Sequence, residues 1–186
     1  MEFGFSKWRR SMLNQAKGRT LEVGIGTGKN IPYYPEHVDL TGIDFSEKMI
    51  SVARKRYGDR DHVGLMVMDA QQMDFPDDSF DTVVTSCVFC SVPDPVQGLK
   101  EIRRVSRPGG QILMLEHVRS HKPLTGPAMD LLNPVPLNIY GANINRETED
   151  NLLLAGFSRE EISVTNLWMD IFKAIRIDNR KPAGSK

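Results

Sequence analysis

Short apolar runs alternate along the chain with stretches whose apolar positions recur every three or four residues, the periods of strand and helix. "RTLEVGIG", "HVDLTGID", "VGLMVMDA", "FDTVVTSCVF" and "QILMLEHV" read as buried strands, and "EISVTNLW" and "IFKAIRI" add two more near the end. "SEKMISVARKRYG" reads as a helix: Ser46 caps it, Met49, Ile50 and Ala53 form its apolar stripe, and Gly58 follows its end. A second helix is predicted from Pro95 to Val105, beginning near its proline and stopping before a break at "RPGG". "RETEDNLLLAGF" predicts a third, with Leu152, Leu153 and Ala155 buried and Gly156 closing it. At the N-terminus, residues 1–18 include "FSKWRRSMLNQAKG", a helix with Phe5, Trp8, Met12 and Leu13 on one face. Lys7, Arg10 and Lys17 lie largely on the other, and Gly18 ends it. Residues 119–146 hold four prolines and little periodicity, which is long for a plain connection.

Strands alternating with helices imply a single α/β domain over residues 1–186. The expected fold is a Rossmann-like, seven-stranded, mostly parallel sheet with helices on both faces. Such sheets bind ligands beyond the carboxyl ends of their strands, and those ends here carry Gly24–Gly28, Asp44, Asp69, Cys87 and His117. "LEVGIGTGKN" packs three glycines into five positions, so the backbone can take φ values other residues resist and let a ligand come close. Asp44, 20 residues after Gly24, is placed to accept from ribose hydroxyls, as in two classes of nucleotide cofactor site. A dinucleotide loop wants G-x-G-x-x-G, but Lys29 stands where the last glycine belongs. "KNIPYYP" also breaks at Pro32 and Pro35 before a helix can cradle a pyrophosphate. The dinucleotide reading is weakened and stays open.

Composition changes this picture little. With 40% hydrophobic and 26% charged residues the chain is an ordinary globular protein. Its 24 basic and 24 acidic residues balance, and no basic stripe runs with aromatics, so nucleic acid is not an expected partner. Charge is uneven locally: Lys7, Arg9, Arg10, Lys17 and Arg19 near the start stand against Glu2 alone. The absence of a long apolar run or leader, with only Cys87 and Cys90 as cysteines, gives a cytoplasmic expectation. Cys87 and Cys90 lack further cysteine ligands, so no metal is expected and packing beside a cofactor is their expected role.

In order, "LEVGIGTGKN", "TGIDFSEKMI", "VMDAQQMDFPDDSFD" and "EIRRVSRPGG" resemble a class I S-adenosylmethionine-dependent methyltransferase over roughly residues 21–118. "CSVPDP", "LEHVRS" and "NINRETEDNLLLAGF" are similar to the branch acting on quinone rings, phospholipids and small thiols. The resemblance implies S-adenosyl-L-methionine as cofactor and S-adenosyl-L-homocysteine as product. It places Gly24, Ile25, Gly26 and Gly28, followed by Asn30, under the methionine part and ribose, with Glu22 near the ammonium through water. It puts Asp44 on the ribose hydroxyls, Phe45 and Met49 beside the adenine, and Asp69 and the Ala70 backbone on its polar edge. Carbonyls around Ser86 and Cys87 would hold the ammonium. Phe45 and Met49 fit a plain core as well, and Asp69 fits a cap. His117, ending the fifth strand, is the candidate base, with a core histidine as the alternative.

The implied acceptor is small and apolar or amphiphilic: a thiol, a lipid amine or a quinone ring. Met129, Asp130, Tyr140 and Asn143 are candidates to line its pocket. The N-terminal helix reads as a lid, as a helix on an anionic membrane, or as one packed on the sheet. Two other functions compete: a cofactor-binding module without chemistry, and a nicotinamide-dependent oxidoreductase.

Overall fold

The computed structural model describes residues 2–181, apart from the side chains of residues 2–5, 138 and 140. The side chains of Phe5, in the N-terminal stripe, and of Tyr140, in the expected pocket wall, thus lie outside what is described. Seven strands form one sheet: β1 (Arg19–Val23), β2 (Asp39–Asp44), β3 (Val63–Val67), β4 (Phe80–Ser86), β5 (Ser106–His117), β6 (Ile162–Trp168) and β7 (Phe172–Asp178). Their order is β3-β2-β1-β4-β5-β7-β6, with β7 antiparallel to both of its neighbours. Strand order reverses between β1 and β4, which opens a crevice at their carboxyl ends.

Among the described residues six α-helices accompany the sheet: α1 (Glu2–Leu13), α2 (Glu47–Tyr57), α3 (Pro95–Val105), α4 (Thr125–Leu132), α5 (Pro134–Tyr140) and α6 (Thr148–Leu154). Alternation along the strands divides the core. Leu21, Val23, Ile43, Val83, Ile112 and Met114 pack with Leu99 and Ile102 of α3 and Leu152 of α6. On the opposite face, Leu40 and Leu65 meet Ile50 and Ala53 of α2, while Val84, Leu113 and Leu115 meet Met12 and Leu13 of α1. α2 begins as its sequence predicts, the Ser46 hydroxyl accepting from the Met49 N–H. α3 runs between the expected limits, capped by Asp94 on Gln97 N.

Three expectations need correction. "RPGG" does not break the chain: β5 runs through it, because Gly109 takes φ +72° and its N–H reaches the Asn179 carbonyl. α1 stops at Leu13 rather than Gly18, and Gly18 turns into β1 at φ +63° with Asp81 against it. Leu153 is only half-buried, whereas Leu152 and Ala155 are buried as expected. The 119–146 segment carries α4 and α5, the latter opening on Pro134 and closing on Gly141 in the left-handed region. No helix among the described residues is long and apolar enough to cross a membrane.

Candidate active site

A cavity of about 610 Å³ lies at the carboxyl ends of β1, β2, β3 and β4. Seven of the predicted residues line it: Gly24, Asp44, Phe45, Met49, Asp69, Ala70 and Cys87. Gly24 is there because nothing larger fits: its φ is +70°, and a Cβ would fall 2.4 Å from Val88 Cγ2. Asp44 ends β2 and accepts from Gly26 N at 2.9 Å and Ser46 N at 2.8 Å, so one carboxylate fixes both the glycine loop and the entry to α2. Each carboxylate oxygen has a second lone pair, leaving room to accept from a ligand.

Phe45 is 78% exposed and Met49 44% exposed, and both border the cavity. They are not core residues; apolar surface left open at a crevice is what a flat aromatic ligand would cover. Asp69 accepts from Gln71 N at 2.8 Å and from the Gln71 amide, which makes it a turn residue rather than a helix cap. The chain after the glycine loop makes a three-residue 3₁₀ turn, Ile31–Tyr33, not the helix whose N-terminus a pyrophosphate needs.

The structure does not bring the other predicted residues into the cavity lining. Ile25 is buried over Gly42 in the core. Gly26 donates to Asp44, and Gly28 lets Ile31 and Tyr57 approach. Glu22 is buried behind the loop, accepting from Asn30 Nδ2 at 2.5 Å and from the Tyr34 hydroxyl at 3.0 Å. Burial pushes its carboxyl up to about 7, against the pull of those donors and of the Arg9 charge. Ser86 is the last residue of β4. His117 ends β5 with its ring edge-on to Phe172, centroids 5.1 Å apart. Its Nδ1 is buried without a hydrogen-bond partner among the described residues, and burial lowers its pKa.

Sequence reasoning missed Glu116, a fully buried acid inside the apolar run "QILMLEHV". An acid in such a run is a signal in itself, because burial requires it to have partners. It accepts from the Thr85 hydroxyl at 2.7 Å and from Val88 N at 3.2 Å, anchoring the turn that carries Cys87 to the cavity wall. Cys87 needs that anchor, since it sits at φ +55° without being glycine. Burial, and then the nearby Glu116 charge, push its thiol up to about 12, so it is neutral.

Burial likewise pushes Glu116 up to about 7. Glu22 and Glu116 thus bind protons more tightly folded than unfolded, where 4.5 is their ordinary value. Their contribution to stability is fully present below about pH 4.5 and is lost as pH rises toward about 7. Glu116→Gln removes one of the two groups, so between about pH 5 and pH 8 it should lose roughly 1–3 kcal/mol less stability than the wild type. Thermal unfolding across that range checks this, and parallel curves for the two proteins would contradict it.

The acceptor-side candidates are largely occupied. Met129 is buried with its sulfur facing Ser120 N, Asp130 pairs with Arg119, and Asn143 N donates to the Cys90 carbonyl. α1 packs Met12 and Leu13 on the sheet and brings the Arg9 charge close to Glu22 and Cys87.

A sheet of this order, with a glycine loop after β1 and an acid closing β2, has the build of the class I S-adenosylmethionine-dependent methyltransferases. The chain belongs to that class: the family described as Methyltransferase domain matches residues 21–114. It is 42% identical over 113 residues to a phosphatidylethanolamine N-methyltransferase of Cereibacter sphaeroides, covering 59% of this chain and 56% of that protein. It is 34% identical over 128 residues to a ubiquinone/menaquinone biosynthesis C-methyltransferase of Geotalea daltonii, covering 62% and 54%. The chain thus spans little more than half the length of these relatives. Its fold matches a phosphoethanolamine N-methyltransferase 2 of Haemonchus contortus in complex with S-adenosyl-L-methionine, TM-score 0.69 at 21% identity, over 86% of this chain and 38% of that one.

Proposed function

We propose that the chain transfers a methyl group from S-adenosyl-L-methionine to an amphiphilic acceptor, with the amine of a phosphatidylethanolamine-like lipid as the first choice. The observation that carries the cofactor assignment is the cavity itself: a hydrogen-bonded carboxylate, Asp44, beside the exposed apolar side chains of Phe45 and Met49. These residues fit the group. Asp44 would accept from the ribose hydroxyls, Phe45 and Met49 would cover the adenine, and Asp69 with the Ala70 backbone would meet its polar edge. The 3₁₀ turn at Ile31–Tyr33 speaks against a dinucleotide.

When bound, the cofactor supplies a methyl group activated by its sulfonium. The residues of this chain have to position the acceptor, exclude water and take up a proton. An amine attacks only as the free base, so a protonated one must first lose its proton. His117 is our candidate to receive it: it ends β5 outside the cavity lining, half-buried, with its pKa lowered by burial and Nδ1 without a partner among the described residues. His117→Ala should lower the rate about 10²-fold near pH 7, with the loss shrinking as pH rises and the amine deprotonates unaided. A loss independent of pH would instead assign His117 to packing on Phe172.

Several observations support an amphiphilic acceptor. Leu131, Leu132, Val135 and Ile139 of α4 and α5 are exposed, an apolar surface unusual for helices in water. The stronger of the two sequence matches is to a lipid methyltransferase. A cytoplasmic location peripheral to the membrane fits this reading.

The test is methyl transfer from radiolabelled S-adenosylmethionine to thiols, quinols and phosphatidylethanolamine vesicles. Label in the lipid supports the proposal, and label in a thiol or quinol moves the acceptor. A protein that binds the cofactor but labels nothing would be a binding module without chemistry.

A further inference from the structure

Arg146 lies between α5 and α6, half-buried, with a hydrogen bond from Nη2 to the Val92 carbonyl at 2.8 Å. Val92 is part of the cavity wall. The main chain of Arg146 is tied to the far side of the site as well, its carbonyl accepting from Arg119 N, two residues after His117. The side chain therefore stands where the ends of β4 and β5 meet, next to the cofactor cavity, and its charge reaches the Cys90 thiol.

No carboxylate among the described residues pairs with this guanidinium. The acids around it are engaged elsewhere: Asp130 and Glu147 with Arg119, and Glu149 with Lys173. Nε of Arg146 is buried and has no hydrogen-bond partner among the described residues. A half-buried cation with one neutral acceptor and an idle N–H is poorly compensated, since burial removes water without supplying a counter-charge. Guanidinium is the group best matched to a planar or tetrahedral oxyanion.

We propose that Arg146 is a specificity-determining residue that recognises a phosphate on the acceptor, next to the amine to be methylated. The proposal rests on the amphiphilic-acceptor reading above and adds its anionic part. The surroundings suit such a molecule. Asn133, between α4 and α5, donates to Asn143 and accepts from Ile144 N, so the segment leading to Arg146 is tied to the junction of the two apolar helices. Leu131, Leu132 and Val135 of the same two helices are exposed, which offers apolar surface to the chains of such a molecule.

The experiment titrates sn-glycero-3-phosphoethanolamine, inorganic phosphate and ethanolamine separately into the full chain saturated with S-adenosylhomocysteine, following binding by NMR shifts. The glycerol ester should bind, with ethanolamine much weaker. Arg146→Met should weaken the ester at least tenfold, and Arg146→Lys should recover part of the loss by restoring charge without the fork. Affinity for S-adenosylhomocysteine and melting temperature should stay at wild-type values in both variants. Equal ester binding by all three proteins would overturn the proposal, as would equal loss of cofactor affinity or stability, which would make Arg146 a clamp on Val92. Inorganic phosphate binding as tightly as the ester would overturn the assignment to a lipid headgroup in favour of free phosphate. The readout is binding, so an absence of methyl transfer to phosphatidylethanolamine would count against the proposed reaction while leaving the anion subsite standing.

Discussion

Gly24→Ala should weaken S-adenosylhomocysteine binding at least a hundredfold and lower the melting temperature. Two costs combine at this position. At φ +70° any Cβ is strained, which costs about 1–2 kcal/mol. The new methyl also falls 2.4 Å from Val88 Cγ2, and forcing such overpacking typically costs about 1–3 kcal/mol. Val88 has little freedom to retreat, because its N–H is held by the buried Glu116 carboxylate. If the loop yields instead, it moves into the cavity that Gly24 and Val88 both line. In a chain of this size roughly 3 kcal/mol corresponds to a fall of about 6–12 °C. Calorimetry and thermal unfolding read the two effects together. Affinity within a few fold of wild type would show that the loop does not touch the ligand.

The second large effect is expected at Asp44. Asp44→Ala should weaken cofactor binding ten- to a hundredfold, roughly the value of charge-assisted hydrogen bonds left unmade. The structure adds a reason beyond the proposed ribose contact. Removing the carboxylate strands the N–H groups of Gly26 and Ser46, which then have only water as partner. The glycine loop and the start of α2 thereby lose their common fixing point. Calorimetry with S-adenosylhomocysteine decides, and unchanged affinity would refute the ribose assignment.

What was legible in the sequence had a local cause. The strands and the helices α2, α3 and α6 announce themselves by periodicity, a capping Ser46, a leading Pro95 and a closing Gly156. Most of the cavity lining was legible for the same reason: Gly24, Asp44, Phe45, Met49, Asp69 and Ala70 sit at strand ends or one turn beyond. What sequence could not give depends on distant partners. α4 and α5 lack a recognisable stripe because their apolar residues face outward as well as inward: Met129 is buried while Leu131 and Leu132 are exposed. "RPGG" looks like a break until Asn179, near the end of the chain, is seen pairing with Gly109 and Gly110. Glu116 is conspicuous in its apolar run, yet its role appears only once Thr85 and Val88 are beside it. Arg146 is one charge among many in sequence; that no counter-charge pairs with it among the described residues is visible only in three dimensions.

The most direct test of the account is a structure of the full chain with S-adenosylhomocysteine bound. The account predicts ribose hydroxyls on the Asp44 carboxylate, the adenine ring against Phe45 and Met49 with its amino group at Asp69, and the thioether sulfur directed toward the ends of β4 and β5. A ligand bound elsewhere, or bound in this cavity with Asp44 turned away from the ribose, would contradict it.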